Sequence, residues 1–123
     1  MTILIIDDTP MTIYALGQIL MPLYTVKVSK CGTAGAILAE EGDIDLILLD
    51  IYMPKVSGFD VLKKLKGNEI TNQIPVILIS GTDEIDDIEK GFSLGAIDFI
   101  KKPFEDKDVL EKTKKHIRKG DDL

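Results

Sequence analysis

Three short stretches, residues 3–6, 46–49 and 76–79, are apolar at every position, and this limits the fold more than any other feature of the chain. A strand with one wet face alternates apolar and polar residues, whereas a strand that is apolar throughout has to be covered on both faces, as in the middle of a parallel sheet. Two further stretches are weaker. Tyr24, Val26 and Val28 alternate with Thr25, Lys27 and Ser29, and residues 97–101 are apolar only in part, which suits the edges of a sheet. Between these five stretches apolar residues recur at helical spacing: Ile13, Leu16 and Leu20; Ala34, Ile37 and Leu38; Val61, Leu62 and Leu65; Ile85, Ile88 and Phe92; Val109, Leu110, Thr113 and Ile117. A strand-first alternation of this kind predicts repeated βα units, an α/β chain with five strands and five helices. The loops are punctuated accordingly, by Pro54 and Gly58 before the third helix, Gly67 and Asn68 after it, and Pro103 before the fifth.

A chain of 123 residues, 45% hydrophobic and 29% charged, has room for one domain; residues 1–119 are expected to form it and residues 120–123 a polar tail. The net charge of −6 gives no overall positive field to gather a nucleic acid or an anionic membrane. Cys31 has no second cysteine to pair with, and no basic, apolar leader opens the chain. The apolar runs end at aspartates, far short of the roughly 20 residues that span a bilayer. These features lead to the expectation of a cytoplasmic protein with no membrane contact.

In an open parallel sheet ligands gather at the carboxyl ends of the strands. There the chain places Asp7 and Asp8 after the first strand, Asp50 after the third, Ser80 after the fourth, and Lys101 and Lys102 at the end of the fifth. Converging carboxylates repel one another unless a cation lies among them. Oxygen ligands without neighbouring histidine or cysteine select a hard ion, and an incomplete set that leaves room for water and phosphate suits Mg2+. An aspartate in such a site can also attack phosphorus. Asp50 is the candidate, with a metal and a lysine to neutralise the transferred group and Ser80 and the N–H of Gly81 as donors.

The segments Ile5-Ile6-Asp7-Asp8, Leu49-Asp50-Ile51-Tyr52-Met53-Pro54 with Gly58 beyond it, Pro75-Val76-Ile77-Leu78-Ile79-Ser80-Gly81, Gly95-Ala96 and Phe99-Ile100-Lys101-Lys102-Pro103-Phe104 together resemble the receiver domains of two-component response regulators, of the chemotaxis-regulator type. The resemblance covers essentially the whole chain. It implies a doubly wound, five-stranded parallel sheet in the flavodoxin-like order 2-1-3-4-5. It also implies that Asp50 is phosphorylated by a sensor histidine kinase or phosphotransfer protein, and that Asp8, Asp50 and the backbone carbonyl of Tyr52 hold Mg2+, with Asp7 acting through water. Lys102, rather than Lys101, would pair with the phosphoryl group, beside Ser80, Gly81 and Tyr52, and the bond into Pro103 would be cis. Ser80 and Phe99 would act as switch residues that remodel a face made of the fourth helix, the fifth strand and the fifth helix. Homodimerisation through that face is compatible with the resemblance. The stretch 109–118 is also similar to helices that lead on to an output domain, such as an enzyme of cyclic-dinucleotide signalling.

The chain departs from the commonest family pattern at Ser80, Gly81 and Phe99, where threonine, alanine and tyrosine are frequent. Phe99 has no hydroxyl, so packing alone would decide its position, and Gly81 adds backbone freedom. Plainer roles stand beside the chemical ones. Asp8-Thr9-Pro10 is also an ordinary helix start, Asp50 with Pro54 an ordinary strand end, and Lys102 an edge-strand charge. His116 reads as a surface or half-buried residue, Cys31 as a small, partly buried one, and the run Lys112, Lys114, Lys115, Arg118 and Lys119 as a solvated face.

Three other functions fit less well. A phosphatase of the haloacid dehalogenase kind needs a second acid two residues after its nucleophile, where Thr9 and Pro10 stand. A nucleotide or flavin binder needs a glycine-rich loop after the first strand. A receiver fold without phosphoryl chemistry would not need all the acids, the serine and the lysine.

Tyr52 and Thr82 each follow a key residue by two positions, where they would overhang a phosphoryl group and restrict attacking water. Slow to moderate dephosphorylation is therefore expected, and Tyr52→Asn should hasten the decay of the phosphorylated protein; an unchanged decay rate rules out the steric explanation.

Overall fold

The computed structural model describes residues 1–81 and 84–117. Thr82, Arg118, Lys119 and the expected tail at 120–123 lie outside the described residues. The order of elements is β1 (Thr2–Ile6), α1 (Pro10–Leu20), β2 (Thr25–Ser29), α2 (Gly32–Glu40), β3 (Leu46–Asp50), α3 (Gly58–Lys66), β4 (Val76–Ser80), α4 (Ile85–Ser93), β5 (Asp98–Lys101) and α5 (Asp106–His116). The strands form one parallel sheet in the order β2-β1-β3-β4-β5, with β2 and β5 at the edges as expected.

Successive residues of a strand point to opposite faces, and the continuous apolar runs therefore feed two cores. On one face Ile3, Ile5, Leu46, Leu48, Ile77, Ile79 and Ile100 pack with Leu16 and Leu20 of α1 and Val109 of α5. On the other, Leu4, Ile6, Ile47, Leu49, Val76 and Leu78 meet Ala36 and Ala39 of α2 and Val61, Leu62 and Leu65 of α3. Burying each of these leucine and isoleucine side chains contributes about 1.5–3 kcal/mol.

Several local expectations change. The buried face of α2 is Gly32, Gly35, Ala36 and Ala39, while Ala34 and Ile37 are exposed and Leu38 is half-buried. Small residues permit the close approach: a Cβ on Gly35 would lie 2.6 Å from Ile6 Cδ1. In α4 two of the three residues at helical spacing face outward too, while Ile88 is half-buried. Ile85 is 69% exposed and Phe92 44%, and Gly91 is the only fully buried residue. Along β2, Val28 is exposed and Ser29 buried, because the Ser29 hydroxyl turns in to donate to the carbonyl of Cys31 at 2.8 Å. Cys31 is itself exposed rather than partly buried, since the chain enters α2 with Gly32 against the core. Thr9 is the N-cap residue of α1, with Pro10 in the first turn, but its side chain makes no capping bond.

What positions the acids is the turn after β3. The N–H of Gly58 donates to the carbonyl of Ile51 at 2.6 Å, folding the start of α3 back onto the strand end. A Cβ at Gly58 would fall 2.1 Å from the carbonyl oxygen of Asp50 and 2.7 Å from Ile51 Cα, and both are backbone atoms that cannot step aside. Gly58→Ala is expected to lower stability by about 2 kcal/mol or more, read as a fall in the thermal midpoint; an unchanged midpoint would mean that the turn opens freely.

Candidate functional site

The acids come together because β1 and β3 are neighbours in register. Ile6 pairs with Leu49, so Asp7 and Asp50 follow on adjacent strands at the carboxyl edge of the sheet. β3 and β4 run one residue further than their apolar runs, and end on Asp50 and Ser80 themselves. One ligand oxygen from each of Asp7, Asp8 and Asp50 can be chosen so that all lie within 4.8 Å of one another. Asp7 and Asp50 are 1% and 4% exposed, and Asp8 is half-buried. An Asp7 oxygen also accepts the N–H of Thr9 at 2.8 Å, which fixes the turn into α1.

Lys102 supplies the counter-charge. Its Nζ lies 3.4 Å from Asp7 Oδ2 and 3.6 Å from Asp50 Oδ1, and the Lys102–Pro103 peptide bond is cis. Lys101 pairs in the sheet with Ser80 and is exposed, so the lysine that reaches the acids is the second of the two, as expected. The backbone N–H of Lys102 donates to the Ser80 carbonyl at 2.8 Å, which ties the end of β5 to β4. Ser80 is buried, one residue beyond the partner of Asp50 on β4. Gly81 is exposed, with open space where a Cβ would be. Phe99, the expected switch ring, is half-buried against the core on the α2–α3 face.

The charges are not balanced by the protein alone. Burial pushes the Asp50 carboxyl up to about 6, and the neighbouring charges of Asp7 and then Asp8 push it the same way; the Lys102 ammonium and the N–H of Tyr52 pull it down without cancelling the rise. A hard divalent ion among these oxygens would reverse that repulsion, and the oxygen-only donor set fits Mg2+. An apolar groove of about 350 Å³ between α1 and β2, lined by Ile13, Tyr14, Met21, Val26 and Val28, lies apart from this cluster.

Other predicted side chains lie outside this cluster. His116 is half-buried and its Nε2 lies 2.8 Å from Asp98 Oδ2. Lys112 is not merely solvated: its Nζ donates to the Phe99 carbonyl at 2.7 Å and pairs with Asp108 at 3.5 Å, whereas Lys114 and Lys115 are exposed. The exposed Cys31 thiol has its pKa lowered, chiefly by the N–H groups of Ala34 and Thr33 at the start of α2. Tyr52 is 58% exposed, and its hydroxyl donates to the carboxylate of Asp87 on α4. Sequence reasoning has no signal for Asp87, because an aspartate in the first turn of a helix is ordinary.

A family model described as the response regulator receiver domain matches residues 3–114. A probable cyclic di-GMP phosphodiesterase of Vibrio cholerae is 41% identical over 102 residues, 83% of this chain and 23% of that protein. The DNA-binding dual master transcriptional regulator RpaA of Synechocystis is 38% identical over 121 residues, 97% of this chain and 50% of that protein. The chain thus spans half or less of the length of these relatives. Among solved structures, the receiver domain of the Pseudomonas aeruginosa sensor histidine kinase PA1611, described with a magnesium ion in its active-site cleft, superposes with a TM-score of 0.86 at 23% identity, over 94% of this chain and 95% of that one.

The elevated Asp50 carboxyl has a defined sign for stability. Between its unfolded value of 3.8 and the folded value of about 6 the folded chain holds more protons, so this contribution is complete below about pH 4 and is lost as pH rises through 6. Without metal at pH 7.5, Asp50→Asn is therefore expected to be more stable than the native protein by on the order of 2 kcal/mol. Mg2+ should raise the native thermal midpoint at pH 7.5 and barely at pH 5; an equal effect at both pH values would show that Asp50 does not titrate in this window.

Proposed function

The chain belongs to the response regulator receiver domain family, and on that premise we propose that Asp50 is its phosphoacceptor. Receiver domains are signalling domains that accept a phosphoryl group from a histidine kinase. The observation that carries the assignment to Asp50 is its place between Asp7, Asp8 and Lys102, at the end of a central strand.

A carboxylate oxygen of Asp50 forms the new bond to phosphorus, and the bond from phosphorus to the donor's nitrogen or oxygen breaks. The leaving group departs with that electron pair. Lys102 faces both Asp50 and Asp7 and takes up charge from the phosphoryl oxygens. Ser80 and the N–H of Gly81, just beyond the neighbouring strand, offer further donors. Asp7, Asp8, Asp50 and the backbone carbonyl of Tyr52 would hold Mg2+, which when bound neutralises the equatorial oxygens. The elevated Asp50 carboxyl supports this set, because a buried acid crowded by other acids favours a cation.

Ser80 and Phe99 form the switch in this reading, and the face made by α4, β5 and α5 is the output. That face carries exposed Ile85, Phe92 and Ile97, apolar surface available to a partner, a second copy or an output domain. The chain's partner is a sensor histidine kinase or phosphotransfer protein, and any catalysis is confined to its own phosphorylation and dephosphorylation. Its net charge of −6 argues against direct contact with nucleic acid. No helix of the described residues is long and apolar enough to cross a membrane, which is compatible with a cytoplasmic place of action.

Incubation with acetyl phosphate and Mg2+ is expected to add one phosphoryl group, seen by intact mass. The adduct should be lost without Mg2+ and in Asp50→Asn. An adduct that persists in Asp50→Asn would place the acceptor elsewhere, and failure of the native protein to bind beryllofluoride or Mg2+ would leave a binding module without phosphoryl chemistry.

A further inference from the structure

α4 is the least anchored helix of the fold. Its one fully buried residue is Gly91, which seats against Leu78 so closely that a Cβ would fall 2.3 Å from that side chain. Two side-chain ties join it to the segment that follows Asp50. The Lys90 ammonium lies 4.6 Å from the centroid of the Phe59 ring, in the first turn of α3. The Tyr52 hydroxyl donates to the carboxylate of Asp87, in the first turn of α4. Tyr52 is itself well placed to transmit force, because the preceding Ile51 is fully buried and its N–H is fixed to the Ile79 carbonyl at 3.2 Å.

We propose that Asp87 is a positioning residue: through the Tyr52 hydroxyl it latches α4 to the loop that carries the phosphoryl site, so that α4 leaves its place only when the latch gives way. The proposal rests on Asp50 being the phosphoacceptor. β4 ends at Ser80 and α4 begins at Ile85; a shift of Ser80 and Gly81 toward a phosphoryl group on Asp50 therefore pulls on the first turn of α4. The latch opposes that shift, since Tyr52 is held from the β3 side. A tie that favours one of two states lowers affinity for a ligand of the other by up to the same free energy.

The test is a double-mutant cycle on the full chain. Tyr52→Phe keeps the ring and removes the hydroxyl, and Asp87→Ala removes the acceptor. Each is expected to bind beryllofluoride with Mg2+ about 3–10-fold more tightly than the native protein, the range of a typical net intramolecular hydrogen bond. In the double variant the loss of the Tyr52 hydroxyl should add nothing to the effect of Asp87→Ala, and Asp87→Glu should return toward native affinity. Without added ligand, amide hydrogen exchange in α4 should quicken in both single variants, while α2 and α3 stay unchanged. Unchanged or weaker beryllofluoride binding in both, or additive effects in the double variant, overturns the latch. If the native protein takes up no beryllofluoride, the phosphoacceptor reading fails; the exchange measurement then decides the latch alone, and unchanged exchange in α4 overturns it.

Discussion

The parallel pairing of β1 with β3 is the constraint on which the rest of the molecule depends. By setting Ile6 beside Leu49 it delivers Asp7 and Asp50 to one edge, almost wholly shielded from solvent. Two buried carboxylates with a third half-buried beside them are costly, and Lys102 offsets only part of that cost. The structure tolerates the cost because both strands are apolar throughout and covered on both faces, and the burial of a few leucines and isoleucines outweighs it. The same repulsion that burdens the fold favours a cation among these oxygens.

Away from this centre the attachments become lighter. α3 presents Phe59, Val61, Leu62 and Leu65 to the sheet, whereas α4 buries Gly91 alone. β5 is an edge strand, and its outer side is served by side chains: Lys112 donates to the Phe99 carbonyl, Asp98 accepts the Phe99 N–H at 2.8 Å, and His116 pairs with Asp98. Both backbone polar groups of Phe99 are thus held on the outer edge while its ring remains half-buried. A lightly held helix beside a firmly held strand is an arrangement in which a local charge change at the site can shift one element without unfolding its neighbours.

Much of this was legible in the residues themselves. Uninterrupted apolar runs identify central strands because only burial on both faces makes them favourable, and the acids, serine and lysine at their ends mark the chemical edge. Helix faces were less legible. Ile37, Ile85 and Phe92 recur at helical spacing as core residues do, yet they are exposed, while Gly32, Gly35 and Gly91 seat their helices tightly against neighbouring side chains. Hydropathy ranks a glycine as neutral and gives no sign of how near a helix backbone comes to the side chains beneath it.

The sequence by itself determined the fold class, the strand order once its family resemblance was admitted, and the identity of the acids and of Lys102, because these depend on residue type and on position relative to strand ends. Tertiary structure alone decided that Tyr52 meets Asp87 and that Lys112 grips β5. It also decided which apolar residues stay uncovered. Such contacts join residues far apart in the chain, and they depend on how the helices settle on the sheet, which no local periodicity encodes.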